Sequence, residues 1–510
     1  MSRPIVWSIA GSDSGGGAGL QADLKAFEAF GVHGCTAVAA ITAQNSVGVQ
    51  AIAPVEASVL AAQLDALSAD LPPAAVKVGM LGSVAALQVL VERIDRLRER
   101  DPRLPLVVDP VLCASTGAAF APQDLLQAYR TQLLPRTTLL TPNRAEAAAL
   151  LGLTELRTAA DVEAAARALR EAGAAAVAIT GGDAGSDQSE DYVATPLARG
   201  WLRLPRLATL HHHGTGCVFA SSAAAALALG FVDVEALVLA KMATTEALRQ
   251  GYAAGAGAGP VRPAADFALR AANLPTLSWP EARINATAFA PLTEPDLGLY
   301  AIVDSAAWVE RVLAAGVRTV QLRIKQGAQP RLREEVRASV AAARQRDAQL
   351  FINDHWQLAL EEGAYGVHLG QEDLPNADLE ALAAAGLRLG LSTHAYWEVC
   401  RALAVRPSYI ACGPIHPTAA KAMPWIPQGN GNLAYWCRLL AQPVVAIAGM
   451  DTARAAEARR CGAAGVAVIS AITAAVDPEA AVRQLQQAVA QPEGGPLPVP
   501  RLPRTTLARQ

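Results

Sequence analysis

The sequence predicts an α/β protein of two domains: a layered α/β domain over residues 1–271 and a (β/α)8 TIM barrel over residues 296–490. Three observations carry this. The chain has 510 residues, too many for one ordinary core. Short β-like runs alternate with Ala/Leu-rich helical stretches along most of it, the pattern of a mostly parallel sheet covered by helices. The rhythm breaks once, at 272–295, where several prolines and no periodicity mark a linker.

In the first half the β-like runs include residues 5–10, 75–78, 106–109, 138–141 and 176–180. The longest apolar run, around 218–232, is Ala-rich and too short to span a bilayer, so a buried helix is expected. In the second half eight runs follow one another: 299–303, 319–325, 350–354, 366–369, 388–393, 409–413, 444–449 and 465–470. Eight βα units at this spacing favour a closed barrel over a doubly wound sheet with two extra strands. The Pro/Arg-rich tail, 491–510, is expected to be loose.

Composition narrows the function. Hydrophobic residues at 52% and charged residues at 17% indicate a folded globule rather than a disordered chain. A net charge of −3 gives no basic footprint for nucleic acid. Cysteines at 35, 113, 217, 400, 412, 437 and 461 show neither disulfide nor zinc spacing, and Met1-Ser2-Arg3-Pro4 runs straight into a strand without the look of a signal peptide. The expectation is a cytoplasmic protein acting on small molecules, with no nucleic-acid or membrane partner and with homo-oligomerisation allowed. Lysines stand only at 25, 77, 241, 325 and 421, so each is a candidate for a task the arginine fork cannot perform.

The first strand opens into Gly11-Ser12-Asp13-Ser14-Gly15-Gly16-Gly17-Ala18-Gly19 and a helix. Glycines let backbone amides approach a ligand, and a helix start favours anions. The loop is neither a Walker A motif nor a dinucleotide fingerprint. His213-Gly214-Thr215-Gly216-Cys217 also leads into a helix, where the amides of Gly214 and Gly216 would meet a transferring phosphoryl group and Cys217 would act as base. A helix terminus would favour its thiolate. The bland alternative is a small buried cysteine at a tight turn. Thr141-Pro142-Asn143-Arg144-Ala145-Glu146 puts Asn143 and Glu146 on one side of a helix start, suited to Mg2+ through water or to capping. Asp109 adds a carboxylate at the same edge.

AGSDSGGGAGLQADLK, ITAQNSVGV, VKVGMLG, VVDPV, LLTPNRAEA and HGTGC, in this order, resemble hydroxymethylpyrimidine/phosphomethylpyrimidine kinase over nearly all of residues 4–260. The resemblance implies a ribokinase-like α/β sandwich and two ATP-dependent phosphorylations of 4-amino-5-hydroxymethyl-2-methylpyrimidine. It implies Gln44 on the aminopyrimidine edge with Asp23 and Met80 nearby, Cys217 as catalytic base, and Asn143 and Glu146 with Asp109 for Mg-ATP. Thr180 departs from the family's Lys-Gly-Gly. The tandem His211–His213 reads as a polar loop beside the site rather than a metal cluster.

In the barrel, the run ending Gln321-Leu322-Arg323-Ile324-Lys325 would place 321, 323 and 325 on one face, where two cations call for an anionic partner. Asp354 and Asp373 end adjacent strands and could share one Mg2+, or serve as an ion-pair partner and a helix cap. QLRIK, the IND triplet, VHLGQED, RPSYIACGPIHPTAAKAMPWIPQG and VISAI together resemble thiamine-phosphate synthase over about residues 297–480. That implies displacement of pyrophosphate from the pyrimidine diphosphate by a thiazole phosphate nitrogen. By position, Gln321, Arg323, Lys325, Asn353, Ser392 and Lys421 would hold the pyrimidine diphosphate. Asp354 and Asp373 would bind Mg2+, and Thr418, Gly449, Ile469 and Ser470 the thiazole phosphate, with Ala420 beside them. Ala420 replaces the family's second hydroxyl, and Ala448-Gly449 its Gly-Gly pair. The alternatives are a non-synthase barrel, a pyridoxal-type kinase, or a ligand sensor.

Overall fold

The computed structural model describes residues 3–112, 122–181, 186–279, 288–325, 328–418 and 424–508. The chain divides near residue 280 into two compact units.

The first unit is a ten-stranded sheet between helices, the α/β sandwich that the resemblance implies. Its strands are β1 (Ile5–Asp13), β2 (His33–Gln44), β3 (Val49–Pro54), β4 (Ala75–Val78), β5 (Leu106–Val108), β6 (Leu139–Leu140), β7 (Ala176–Ile179), β8 (Gln188–Ala194), β9 (Arg199–Pro205) and β10 (Thr276–Leu277). The order is β10-β9-β8-β7-β6-β5-β4-β1-β2-β3. The inner strands are parallel, and β3, β8, β9 and β10 pair antiparallel at the two edges. Inner strands such as β4 and β5 are buried on both faces, so they read as continuous apolar runs. The edge strands carry polar residues and escape that pattern. Succession reverses between β1 and β4, and the crevice at such a switch point is where open α/β sheets bind ligands.

The helix Val84–Arg100 shows the local logic. Ser83 caps it by accepting from the Ala86 amide at 3.1 Å, and Ala86, Leu87, Leu90, Val91, Ile94 and Leu97 form the stripe it buries. The expected buried helix is Thr215–Ala228, whose residues from Val218 to Leu227 are all buried.

The second unit is a closed barrel of eight parallel strands: β11 (Gly298–Val303), β12 (Thr319–Leu322), β13 (Gln349–Asn353), β14 (Gly366–Leu369), β15 (Arg388–Thr393), β16 (Tyr409–Cys412), β17 (Val444–Ile447) and β18 (Gly465–Val468). Tyr409 packs edge-on against Tyr300 and Phe351, which are tilted to each other, in one interior cluster with Leu292 and Leu297. A Cβ at Gly390 would lie 2.1 Å from the Tyr409 ring, so the neighbouring strand gives up a side chain to admit it.

Three expectations need correction. The stretch 272–295 is not a free linker in its described parts. Thr276 and Leu277 pair with β9, while Ser408 donates to the Ala290 carbonyl at 2.6 Å and Thr293 bonds Tyr365 on the barrel. Nor is the tail loose up to residue 508. Arg504 exchanges backbone hydrogen bonds with the Asn432 amide, Ile426 donates to Thr506, and Thr506 is fully buried. A Pro/Arg-rich composition lacks periodicity, yet its backbone groups still find partners along an irregular path. Finally, β12 ends at Leu322, so strand alternation does not extend to Arg323 and Lys325. Gln321 is buried, Arg323 half-buried and Lys325 exposed.

Candidate active sites

At the switch point, one cavity of about 510 Å3 is lined by Gln44, Met80, Asp109, Asn143, Glu146, Gly214, Gly216 and Cys217, together with Asp13, Lys77, Thr180 and His213. Eight residues singled out from the sequence therefore converge, from segments up to 173 positions apart. Asp23 does not line it. It is fully buried beneath, where its carboxylate takes both bonds from Lys77 (2.9 and 3.0 Å), one from Ser8 (2.5 Å) and one from Ser221 (2.6 Å). The helix Gly19–Phe30 turns this residue inward, so it holds Lys77 and cannot reach a ligand.

The glycine loop also differs from expectation. The amides of Gly15, Gly17 and Ala18 donate to the side chain of Asp13, at 2.8 to 3.0 Å. They are spent inside the loop and are not offered to an anion. His213 Nε2 lies 3.2 Å from Asp13 and 3.3 Å from the Gln44 amide. Burial pushes the Asp13 carboxyl up, but His213 and the three amides outweigh it and leave the group below its ordinary range. A Cβ at Gly214, which has φ 86°, would fall 2.0 Å from the Gly17 carbonyl, so the two glycine-rich segments pack backbone against backbone.

Asn143 and Glu146 cap each other's backbone amides, each at 2.9 Å, at the start of the helix Arg144–Leu151. Both alternatives read from the sequence are thus compatible, since the capped pair still faces the cavity. Asp109 is more telling. Its Oδ2 is buried without a hydrogen-bond partner and stands 4.0 Å from Lys77 Nζ. Burial raises its carboxyl to about 6, Lys77 opposes, and the Asp23 charge adds to the rise. An orphaned carboxylate oxygen facing a cavity fits a hard cation.

Cys217 is not the favoured thiolate expected from its helix position. Burial pushes its thiol up to about 12; Lys77 pulls it down, while Asp109 and Asp23 push it further up. Desolvation and two carboxylates outweigh the helix end.

The barrel gathers its residues at the carboxyl ends of its strands. Asn353 and Asp354 close β13, Asp373 follows β14 and Ser392 lies near the end of β15. The Asp354 carboxyl is raised, first by burial and then by the charge of Asp373, with which it shares a hydrogen bond; Arg323 pulls the other way. Two carboxylates in contact beside a guanidinium fit one Mg2+, which prefers oxygen ligands and keeps several waters or phosphate oxygens of its own. No cluster of three or more metal-ligating side chains occurs among the described residues. Beyond β16, Ile415 and His416 donate to Ile447 and Ala448, which lays the 413–418 loop along the end of β17. A Cβ at Gly449 would meet His416 at 2.7 Å and the Pro417 carbonyl at 2.8 Å, so glycine is required there, close to Thr418. Ser470, after Ile469, opens the short helix Ser470–Thr473 after β18. Ala420 and Lys421 lie outside the described residues.

Comparison with known proteins now decides the family. The probable thiamine biosynthetic bifunctional enzyme, chloroplastic, of Oryza sativa subsp. japonica is 34% identical over 488 residues, 92% of this chain and 86% of that one. The chain belongs to the bifunctional thiamine biosynthetic enzymes. Its residues 13–262 match the phosphomethylpyrimidine kinase family and residues 299–472 the thiamine monophosphate synthase family. The thiamine-phosphate synthase of Salmonella newport is 54% identical over 190 residues, 37% of this chain and 90% of that one. An ADP complex of Bacillus subtilis pyridoxal kinase is 33% identical with a TM-score of 0.47, covering 51% of this chain and 98% of that one. This thiamine biosynthetic enzyme is thus a kinase joined to a synthase, and the non-synthase reading of the barrel is not supported.

Three functional neighbours escaped the sequence reading. Lys77 had only its rarity to mark it, Asp13 only its place in the glycine loop, and His213 was set aside as a polar loop. The contacts that place them in the site, Lys77 with Asp23 and His213 with Asp13, span 54 and 200 positions.

Proposed function

We propose that the first unit phosphorylates hydroxymethylpyrimidine and then its monophosphate with Mg-ATP, and that the barrel joins the resulting diphosphate to thiazole phosphate, giving thiamine phosphate and pyrophosphate. Gln44 and Met80 receive the pyrimidine ring, Gln44 supplying both a donor and an acceptor. Cys217 takes the proton of the attacking hydroxyl, and Lys77, held charged in its buried site, lowers the cost of the thiolate. Asp109, Asn143 and Glu146 would hold the divalent ion and nucleotide, and the amides at Gly214 and Gly216 meet the transferring phosphoryl group. Neutralising Asp109 with a cation removes one of the two charges that oppose the thiolate.

In the barrel, Asp354 and Asp373 would hold Mg2+, which screens the charge of the departing pyrophosphate. Arg323, Lys325 and Lys421 add fixed positive charge, Asn353, Gln321 and Ser392 orient the substrate, and Thr418, Gly449, Ile469 and Ser470 receive the thiazole phosphate. The pairing of the Asp354 and Asp373 carboxyls beside Arg323 carries this reading, because such a pair is relieved either by sharing a proton or by a bound cation, and a divalent ion is what a diphosphate substrate brings. Scattered cysteines fit a cytoplasmic protein. The test supplies the purified chain with hydroxymethylpyrimidine, Mg-ATP and thiazole phosphate. Thiamine phosphate is expected by mass, and it is expected without ATP when the pyrimidine diphosphate is given instead. No product in the second assay would overturn the barrel assignment.

A further inference from the structure

We propose that Tyr409 and His368 are positioning residues that fix the direction of the Ser392 hydroxyl, so that Ser392 presents a hydrogen-bond donor to the substrate diphosphate. The inference rests on the synthase reading of the barrel. Five polar groups form an unbroken line through the barrel interior. Gln321 Nε2 donates to Tyr300 Oη at 3.3 Å, and Tyr300 Oη lies 2.8 Å from Tyr409 Oη. Tyr409 Oη lies 2.7 Å from His368 Nδ1, and His368 Nε2 lies 2.9 Å from Ser392 Oγ. Gln321, Tyr300, Tyr409 and His368 are all buried, while Ser392 is half-buried. The line thus runs from the buried interior to the end of β15, on the same carboxyl side of the barrel as Asn353 and Asp354 at the end of β13.

Direction follows from counting protons. A hydroxyl has one to give, and a buried neutral imidazole has one donor and one acceptor nitrogen. The amide nitrogen at the inner end only donates. Tyr300 accepts there and gives its proton to Tyr409, which gives its own to Nδ1. The ring proton must then sit on Nε2, aimed at Ser392 Oγ. Ser392 accepts it, and its own proton is left to point away from the histidine. Diphosphate oxygens carry only lone pairs, so a donor is what they require. With the opposite direction, Ser392 would spend its proton on Nε2 and turn lone pairs towards the anion. Gly390 makes the line possible, since a Cβ there would lie 2.3 Å from Tyr409 Oη.

The test uses the full chain with supplied pyrimidine diphosphate, thiazole phosphate and Mg2+. Tyr409→Phe keeps the ring that packs on Phe351 and removes only the hydroxyl. It and Ser392→Ala are each expected to raise KM for the diphosphate roughly ten- to a hundredfold, with KM for thiazole phosphate unchanged. The double variant should be no worse than Ser392→Ala alone, because both act through one hydroxyl. Losses that multiply in the double variant, or a Tyr409→Phe protein with an unchanged diphosphate KM, would overturn the proposal. Nitrogen-15 shifts of the histidine rings, with inorganic pyrophosphate and Mg2+ bound and His368→Gln used for assignment, give a second readout. A proton on Nε2 is expected, and one on Nδ1 sinks the idea even if neither Tyr409→Phe nor Ser392→Ala folds. Wild-type turnover tests the synthase reading separately.

Discussion

Cys217, Asp109 and Lys77 make one electrostatic unit, and its behaviour is testable residue by residue. Cys217→Ala should abolish phosphorylation while pyrimidine binding, followed by calorimetry, persists. Because burial and two carboxylates hold the thiol up at about 12, Cys217 should alkylate slowly at pH 8. Asp109→Asn removes one of those charges and should speed alkylation, a result read by mass spectrometry without any turnover. Kinase activity should fall as pH drops below about 6, where the raised Asp109 carboxyl gains a proton and can no longer hold a cation. Asp23→Asn should cost the first unit about 3–5 kcal/mol in denaturant unfolding, because Lys77 is left charged and poorly paired in the interior. At this scale the sequence named the residues better than their roles. Gln44, Asn143, Glu146 and Cys217 sit in local motifs, and motifs are legible. That Asp13 would be met by His213, or that Asp23 would serve Lys77, depends on contacts between distant segments that no local pattern encodes.

Among the elements, regular ones were readable and irregular ones were not. All eight barrel strands announced themselves because a strand buried on both faces is a bare apolar run between turns. The antiparallel strands β8 and β9 of the first unit carry exposed polar residues, and the edge strand β10 is two residues long, so they gave no such signal. The loop after β17 holds a more specific lesson. Ala448 stands at φ 81°, a conformation that favours glycine, which accounts physically for the Gly-Gly pair of the family. Ala448→Gly should raise barrel stability by about 1 kcal/mol in denaturant unfolding. The tail is the converse case. Removing residues 491–510 should lower the thermal midpoint of the barrel, because Arg504 and Thr506 leave partners on Asn432 and Ile426 unsatisfied.

Across the whole molecule, the two units carry separate cores and successive reactions. Cys217→Ala should therefore leave the barrel's turnover of supplied diphosphate unchanged. Tethering raises the local supply of intermediate, but nothing in the fold of either unit requires that it be hidden from solvent. Unlabelled pyrimidine diphosphate should dilute the label that reaches thiamine phosphate from labelled hydroxymethylpyrimidine. Undiluted label would mean that the intermediate is handed over directly.

The rings of Tyr300, Phe351 and Tyr409 have one more consequence. They fill the interior of the barrel, so reactants are expected to enter from the rim at the carboxyl ends of the strands. On the proposed synthase reading, the pyrophosphate set free would leave through that same rim. Traffic through a shared rim would form a queue, in which a lingering product delays the following turnover.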